Sequence, residues 1–246
     1  LHEPLVEDLA GPFDLVRRLP GLALSVLPSA DRTVWRVALR PGVRFQDGTP
    51  FNASAVLANA DRWLAAPEGR AVLGELLVDA PRPDMVRFIL PAPDPGFARR
   101  LASPRLGIVS PRAIADAAGG PLDSTRLPES GTGPFELRER SSDRLLLARN
   151  TGWWGTERGL GPGVDQIELR VVPDSGQRLA LLRDGTVRVA AIDSRDLGAV
   201  RADPLLTEVR QSGGAALGIE RSVRGIPAGQ PAPSLNAVWL TGIHVG

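Results

Sequence analysis

Residues 35–51 read Trp35-Arg36-Val37-Ala38-Leu39-Arg40-Pro41-Gly42-Val43-Arg44-Phe45-Gln46-Asp47-Gly48-Thr49-Pro50-Phe51. Trp35, Val37 and Leu39 alternate with Arg36, Ala38 and Arg40, the period of two that marks a half-buried strand. Pro41-Gly42 turns the chain, Val43 and Phe45 resume the alternation, and Gln46 to Pro50 forms another turn. The two runs predict a hairpin. Asn52 is placed to cap a helix through its side-chain oxygen. Val56, Ala60, Trp63 and Leu64 then follow at helical spacing, with Pro67 as the stop.

Upstream, Leu1 to Leu27 mixes short apolar runs with Pro4, Pro12 and Pro20, which suits a short helix followed by loop. Downstream, Val86, Phe88 and Leu90 predict a strand, and Phe97 to Leu101 a short helix. A second hairpin is expected from Phe135, Leu137 and Glu139, a turn at Ser141-Ser142-Asp143, and a return through Leu145, Leu147 and Arg149. Ile167 to Val172 is a further strand. Leu179 and Leu182 lie on a helix that Asp184-Gly185 ends, glycine supplying the left-handed cap. Val187 and Val189 lead into one more strand. The class is therefore α/β, or α+β with mixed sheets and flanking helices and hairpins.

Composition narrows the function. All 29 basic residues are arginines, and 28 acids leave a net charge of +1, so no clustered positive surface for nucleic acid is expected. Hydrophobic residues at 43% are too many for a disordered chain. Cysteine is absent, which removes disulfides and thiolate chemistry. His2 and His244 stand at opposite ends, where neither predicts a triad or a metal centre. Gly159 to Gly163 is glycine-rich but fits neither GxGxxG nor a P-loop, and reads as a connector. No catalytic residue, metal ligand or cofactor is expected, and the chain is not read as an enzyme. Trp153-Trp154 is the conspicuous aromatic feature. On an extended segment the two rings point to opposite faces, one as a packing anchor, the other open to solvent or to a stacked ligand.

These segments resemble the family 5 extracellular solute-binding proteins of ABC transporters, the dipeptide, oligopeptide and nickel class. Residues 35–51 look like that family's strand-turn-helix block. It continues there as Thr-Ala-Glu/Asp-Asp-Val and here as Asn52-Ala53-Ser54-Ala55-Val56, keeping a cap and losing both acids. Gly131-Thr132-Gly133-Pro134-Phe135 is similar to its Gly-Thr-Gly-Pro-Tyr. Asn150 with Trp153-Trp154-Gly155 is similar to its Asn-x-x-Tyr-Trp-Gly. Val164-Asp165-Gln166-Ile167 through Asp174, and Leu182-Arg183-Asp184-Gly185, add two blocks in the same order, although Arg188 stands where the family favours an acid. The likeness runs from Leu1 to about Leu217.

The resemblance implies one lobe of a periplasmic-binding-protein type II-like fold over residues 1–246. A hairpin-rich subdomain at about 30–170 is inserted in it, and 218–246 is the C-terminal return segment. Relatives are about twice as long and close two lobes on a ligand; here the second lobe is expected to be absent and the first strand to lie upstream of Leu1. Opening on Leu1 without a signal peptide suggests a mature or trimmed form. Val223 to Leu240 is expected to pack on the domain that holds Trp35 to Phe45.

The implied role is binding of a small peptide or similar solute outside the cell or in the periplasm, for delivery to an ABC transporter permease. A membrane-anchored lipoprotein is the expected full-length form. Ser103 and Arg105 lie in the segment that, by resemblance, approaches the cleft, and a guanidinium suits a ligand carboxylate. A half-cleft also predicts self-association through the exposed cleft face. The alternative is a ligand-sensing or interaction module of a regulator that reuses the fold without a transport role.

Overall fold

The structure is a computed structural model that describes residues 1–10, 16–117, 130–159, 161–210, 217–221 and 235–238. The chain divides into two compact units. Leu1–Glu136 with Asn150–Gly161 form the first, and Leu137–Arg149 with Pro162–Gly246 form the second.

In the first unit, β1 (Val6–Ala10) and β2 (Val16–Pro20) pair as an antiparallel ribbon. β3 (Ala23–Pro28), β4 (Val34–Leu39), β5 (Leu77–Arg82) and β6 (Met85–Ile89) make an antiparallel sheet in the order β3-β4-β6-β5. The register sets Trp35 opposite Phe88 and Val37 opposite Val86. Alternation thus sends Trp35, Val37, Leu39, Val86 and Phe88 to one buried face. Helix α1 (Ala53–Ala65) brings Val56, Ala60 and Trp63 to the same core, and α2 (Pro67–Leu73) follows with Pro67 in its first turn. As predicted, the Asn52 side chain accepts from Ala55 N at 3.1 Å. Phe97, on the short helix α3 (Phe97–Arg100), closes the core with ring centroids 5.8 Å from Trp35 and 5.3 Å from Phe88. α4 (Pro111–Asp116) is capped by Ser110.

Two expectations fail here. The N-terminal stretch forms no helix among its described residues. Leu5 and Val6 are buried, and the chain runs extended so that Pro4 and Leu5 carbonyls accept from Leu22 N (3.4 Å) and Ala23 N (2.8 Å). A local pattern that suits a helix yields to strand pairing that buries the apolar side. Nor do Trp35–Leu39 and Val43–Phe45 form a hairpin, because β4 already has β3 and β6 as neighbours. Residues 43–51 instead fold on themselves, with Phe45 N donating to Thr49 O at 2.9 Å and Phe51 N to Val43 O at 3.0 Å. Gly48, at φ +83°, permits that loop.

In the second unit, β7 (Phe135–Arg140) begins the seven-stranded sheet; β8 (Arg144–Arg149), β9 (Gln166–Arg170), β10 (Val189–Ala191), β11 (Leu206–Arg210), β12 (Leu217–Arg221) and β13 (Leu235–Val238) complete it. Its order is β11-β12-β10-β13-β9-β8-β7. β13 runs parallel to both β10 and β9, whereas the β8–β9, β10–β12 and β11–β12 pairs are antiparallel, so the sheet is mixed. Helix α5 (Ser175–Asp184) starts at Asp174, which accepts from Gln177 N at 2.7 Å, and ends at Gly185 with φ +83°. Leu179 and Leu182 from α5, Val187, Ala190 and Ile192 around β10, and Val200 from α6 (Leu197–Arg201) form a second, smaller core.

The tail departs from expectation. Leu235–Val238, the described part of Val223–Leu240, lies in the second unit rather than with Trp35–Phe45. It has two strand partners there, Leu235 opposite Ile167 and Ala237 opposite Val189, so both of its edges are hydrogen-bonded. The rest of that segment, and His244, fall outside the described residues. Among the described residues no helix is long and apolar enough to cross a membrane.

Candidate functional site

The sequence blocks at 46–50, 131–135 and 150–155 meet in the first unit. Gln46 joins two of them through backbone and side chain. Its N donates to Gly131 O at 2.9 Å, and its Nε2 donates to Phe135 O at 2.7 Å and Gly133 O at 3.3 Å. Asn150 adds the third block, its N donating to Pro134 O at 2.8 Å and its Nδ2 to Gly133 O at 3.0 Å. The two glycines are needed for close approach. A Cβ on Gly131 or Gly133 would stand 2.1 Å or 2.7 Å from the Leu1 carbonyl oxygen.

Asp47 holds the turn itself. Its carboxylate accepts from Thr49 N at 2.9 Å, from Thr49 Oγ1 at 2.6 Å and from the Ser110 hydroxyl, while Ser130 Oγ accepts from Asp47 N at 3.1 Å. Burial pushes its pKa up, but the hydrogen bonds from Ser110 and Thr49 outweigh burial and hold the group below the usual carboxylate range.

Trp153 and Trp154 do not point to opposite faces. The chain turns there, Trp153 N donating to Asn150 O at 3.2 Å and Thr156 N to Trp153 O at 3.0 Å, so both indoles reach one carboxylate. Trp153 Nε1 donates to Glu3 Oε1 at 3.0 Å and Trp154 Nε1 to Glu3 Oε2 at 2.9 Å. Glu3 is only 5% exposed. Its burial raises the pKa, and the hydrogen bonds from the two indoles only partly offset that rise. The Arg40 guanidinium lies 4.1 Å over the Trp154 ring, a cation–π contact, and its Nε and one terminal nitrogen donate to Gly21 O. The Trp153 ring packs against Gly155. Both tryptophans therefore act as packing anchors.

Ser103 and Arg105 lie on the neighbouring segment. Ser103 Oγ accepts from Arg105 N at 3.4 Å at the start of a 3-10 turn, Pro104–Leu106. Arg105 is exposed, and among the described residues its guanidinium makes no ion pair. Just beyond the turn, Ile108 N donates to the Glu3 carbonyl at 3.0 Å. The structure thus places Ser103 and Arg105 in the same unit as the interlocked motif loops, with the Arg105 head group directed to solvent.

The second unit is organised by Arg178, which is fully buried. Its Nε donates to Ala191 O at 2.7 Å, one terminal nitrogen to Val172 O and Pro173 O at 2.7 Å each, and the other to Asp193 Oδ1 at 2.9 Å. Ser175 Oγ accepts from Asp193 N at 3.0 Å. This clamp joins the carboxyl ends of β9 and β10 to α5, where open α/β sheets place ligands. A groove of about 370 Å³ opens beside the end of β9, lined by Asp143, Arg144, Glu168, Arg170, Val171 and Val172. Arg144 and Arg170 both bond Glu168 Oε1, at 2.9 Å and 2.7 Å, and the Arg170 bond leads the effects that hold Glu168 below the usual carboxylate range. Glu3 and Arg178 carried no sequence signal of their own, and Arg40 stood out only as part of the block at 35–51. The signal lay in the motif loops around them.

The described residues contain no group of three His, Cys, Asp or Glu side chains that could hold a metal ion. Amide, indole, guanidinium and carboxylate groups paired within loops are equipped to bind and orient.

The antiparallel sheet of one unit and the mixed sheet with flanking helices of the other are those of a periplasmic-binding-protein type II-like fold. Residues 18–223 match the family described as bacterial extracellular solute-binding proteins, family 5 Middle, and the chain belongs to that family. The glutathione-binding protein GsiB of Escherichia coli strain K12 is 34% identical over 175 residues, covering 69% of this chain and 33% of the relative. NikA from Brucella suis, solved in complex with Fe(III)-EDTA, has a TM-score of 0.72 at 25% identity over 85% of this chain and 42% of its own. DppA from Helicobacter pylori, solved with the peptide STSA, has a TM-score of 0.71 at 22% identity over 85% of this chain and 44% of its own, a likeness of fold alone. The chain spans about a third of the length of the curated relatives it matches.

Proposed function

We propose that this chain supplies one face of a solute cleft in the extracellular solute-binding component of an ABC importer, and that its solute is a peptide or a similar small molecule. The observation that carries this reading is the interlock of Gln46, Gly131–Phe135 and Asn150, the residues by which the chain resembles its family, into one rigid loop platform. The partner in this reading is the permease, met on the periplasmic or extracellular side, with a lipoprotein anchor on the full-length form. The hairpin-rich part, about 30–170, acts as a subdomain inserted in the lobe. The protein binds and delivers, and no chemical step is assigned to it.

Within this reading Ser103 and Arg105 face the solute, the guanidinium taking a carboxylate through paired hydrogen bonds. The exposed head group with no ion pair among the described residues supports this. The test is titration of the chain with glutathione and with a tripeptide, followed by calorimetry or by amide shifts. Arg105→Ala is expected to weaken binding by about tenfold, the usual worth of a hydrogen bond to a charged group. Unchanged affinity removes Arg105 from the site.

A further inference from the structure

Helix α1 carries two polar residues that its apolar packing does not require. Asn59 is fully buried between Val56, Ala60 and Trp63 on the core face. Its amide is paired with one residue of the segment that follows Arg105: Nδ2 donates to Val109 O at 2.7 Å, and Oδ1 accepts from Val109 N at 3.0 Å. Nδ2 also donates to Ala55 O at 2.8 Å, and Oδ1 accepts from Arg62 at 3.1 Å. The same Arg62 nitrogen donates to Gly107 O at 2.7 Å. Residues 107 and 109 are thus bound to α1, and Ile108 between them donates to the Glu3 carbonyl. Three consecutive residues have their backbones held from two directions. The 3-10 turn bearing Arg105 closes on the first of them, with Gly107 N donating to Pro104 O at 3.2 Å.

A buried amide in an apolar helix face contributes less than a packed leucine unless its bonds fix something. We infer that Asn59 and Arg62 are positioning residues, and that together they set where the Ser103–Arg105 turn presents its guanidinium to a solute. This rests on the proposed reading of Arg105 as a solute contact. Neither residue touches the solute. Their role is to remove the freedom that a surface 3-10 turn of three residues would otherwise have, so that Arg105 meets a carboxylate with little further ordering.

The experiment uses the whole chain in two arms. The first follows amide hydrogen exchange at Gly107, Ile108 and Val109 in the parent, in Asn59→Leu and in Arg62→Met. The second variant guards against the first failing to fold. Exchange at Val109 is expected to rise at least tenfold in Asn59→Leu, with the amides of β4 and β6 unchanged. Equal protection at 107–109 in the parent and in both variants overturns the inference.

The second arm titrates glutathione into the parent, Arg62→Met, Arg105→Ala and the double variant. Arg62→Met is expected to weaken binding several-fold in the parent and to have no effect once Arg105 is alanine. An equal loss in both backgrounds overturns the positioning role, since a merely structural residue acts whether or not Arg105 is present. Absence of any Arg105→Ala effect overturns the solute reading alone, and the exchange arm still decides whether α1 holds the turn.

Discussion

Glu3 offers the sharpest reading at the scale of single residues. Burial raises its carboxyl pKa in the folded chain, so folding favours the protonated form. The stability it contributes is fully present below the unfolded value, about 4.3, and is lost as pH rises through the raised folded value. Asp47 has the opposite sign: its lowered pKa contributes stability that is lost as pH falls. Subtracting the unfolding free energy of Glu3→Gln from that of the parent cancels Asp47 and every other common group. We expect this difference to fall as pH is raised from about 4 to about 7. A flat difference in urea melts across that range shows that the buried carboxyl does not titrate as placed. Arg178 gives a second prediction. Arg178→Met takes the guanidinium from the carbonyls of Val172, Pro173 and Ala191 and from Asp193 Oδ1, leaving Arg195 on Asp193 Oδ2. A loss of about 3 kcal/mol is expected, the lower end for a broken buried pair because Asp193 is partly exposed. Arg178→Lys should recover little of it, since an ammonium cannot span four acceptors in a plane. Full stability of either variant in urea denaturation contradicts the clamp.

Elements show where sequence reasoning reaches and where it stops. β4, α1, β6 and α5 were legible because each buries one face, and a period of two or 3.6 records that burial directly; the β7–β8 hairpin was legible from its turn residues, since neither strand buries an alternating face. The Asn52 and Gly185 caps were legible because their chemistry is local. Residues 43–51 were misread for a physical reason. Val43 and Phe45 are buried at alternate positions, as in a strand, yet the sheet edge they would need is taken by β3. The parallel strand β13 depends on partners far along the chain, at 167–170 and 189–190, which no short window contains. The site divides in the same way. Motif residues Gln46, Gly131, Gly133 and Asn150 stood out as blocks, whereas their mutual bonds, and the convergence of both indoles on Glu3, needed coordinates. Gln46→Ala should loosen the platform, although the backbone bond from residue 46 to Gly131 O survives. It removes the side-chain donor from Phe135 O and leaves Gly133 O with Asn150 alone, and a loss of about 1 kcal/mol is expected in thermal or urea unfolding. A neutral result shows that the loops are held without it.

At the scale of the whole molecule, the proposal that this chain supplies one face of a solute cleft leads to one expectation about affinity. A solute held on one face keeps much of its surface in water and forgoes the desolvation on which tight sites rely. A partner chain, or a second copy meeting the same face, would restore that burial, so affinity should rise with association if the chain self-associates through it. The most direct measurement is a titration of glutathione and a tripeptide into a sample shown by sedimentation to be monomeric, read through backbone amide shifts. We expect weak binding, with dissociation constants near the millimolar range and shifts centred on residues 103–109. Micromolar or tighter binding to the monomer, or shifts that leave 103–109 untouched, would contradict the reading of this chain as one face of a solute cleft.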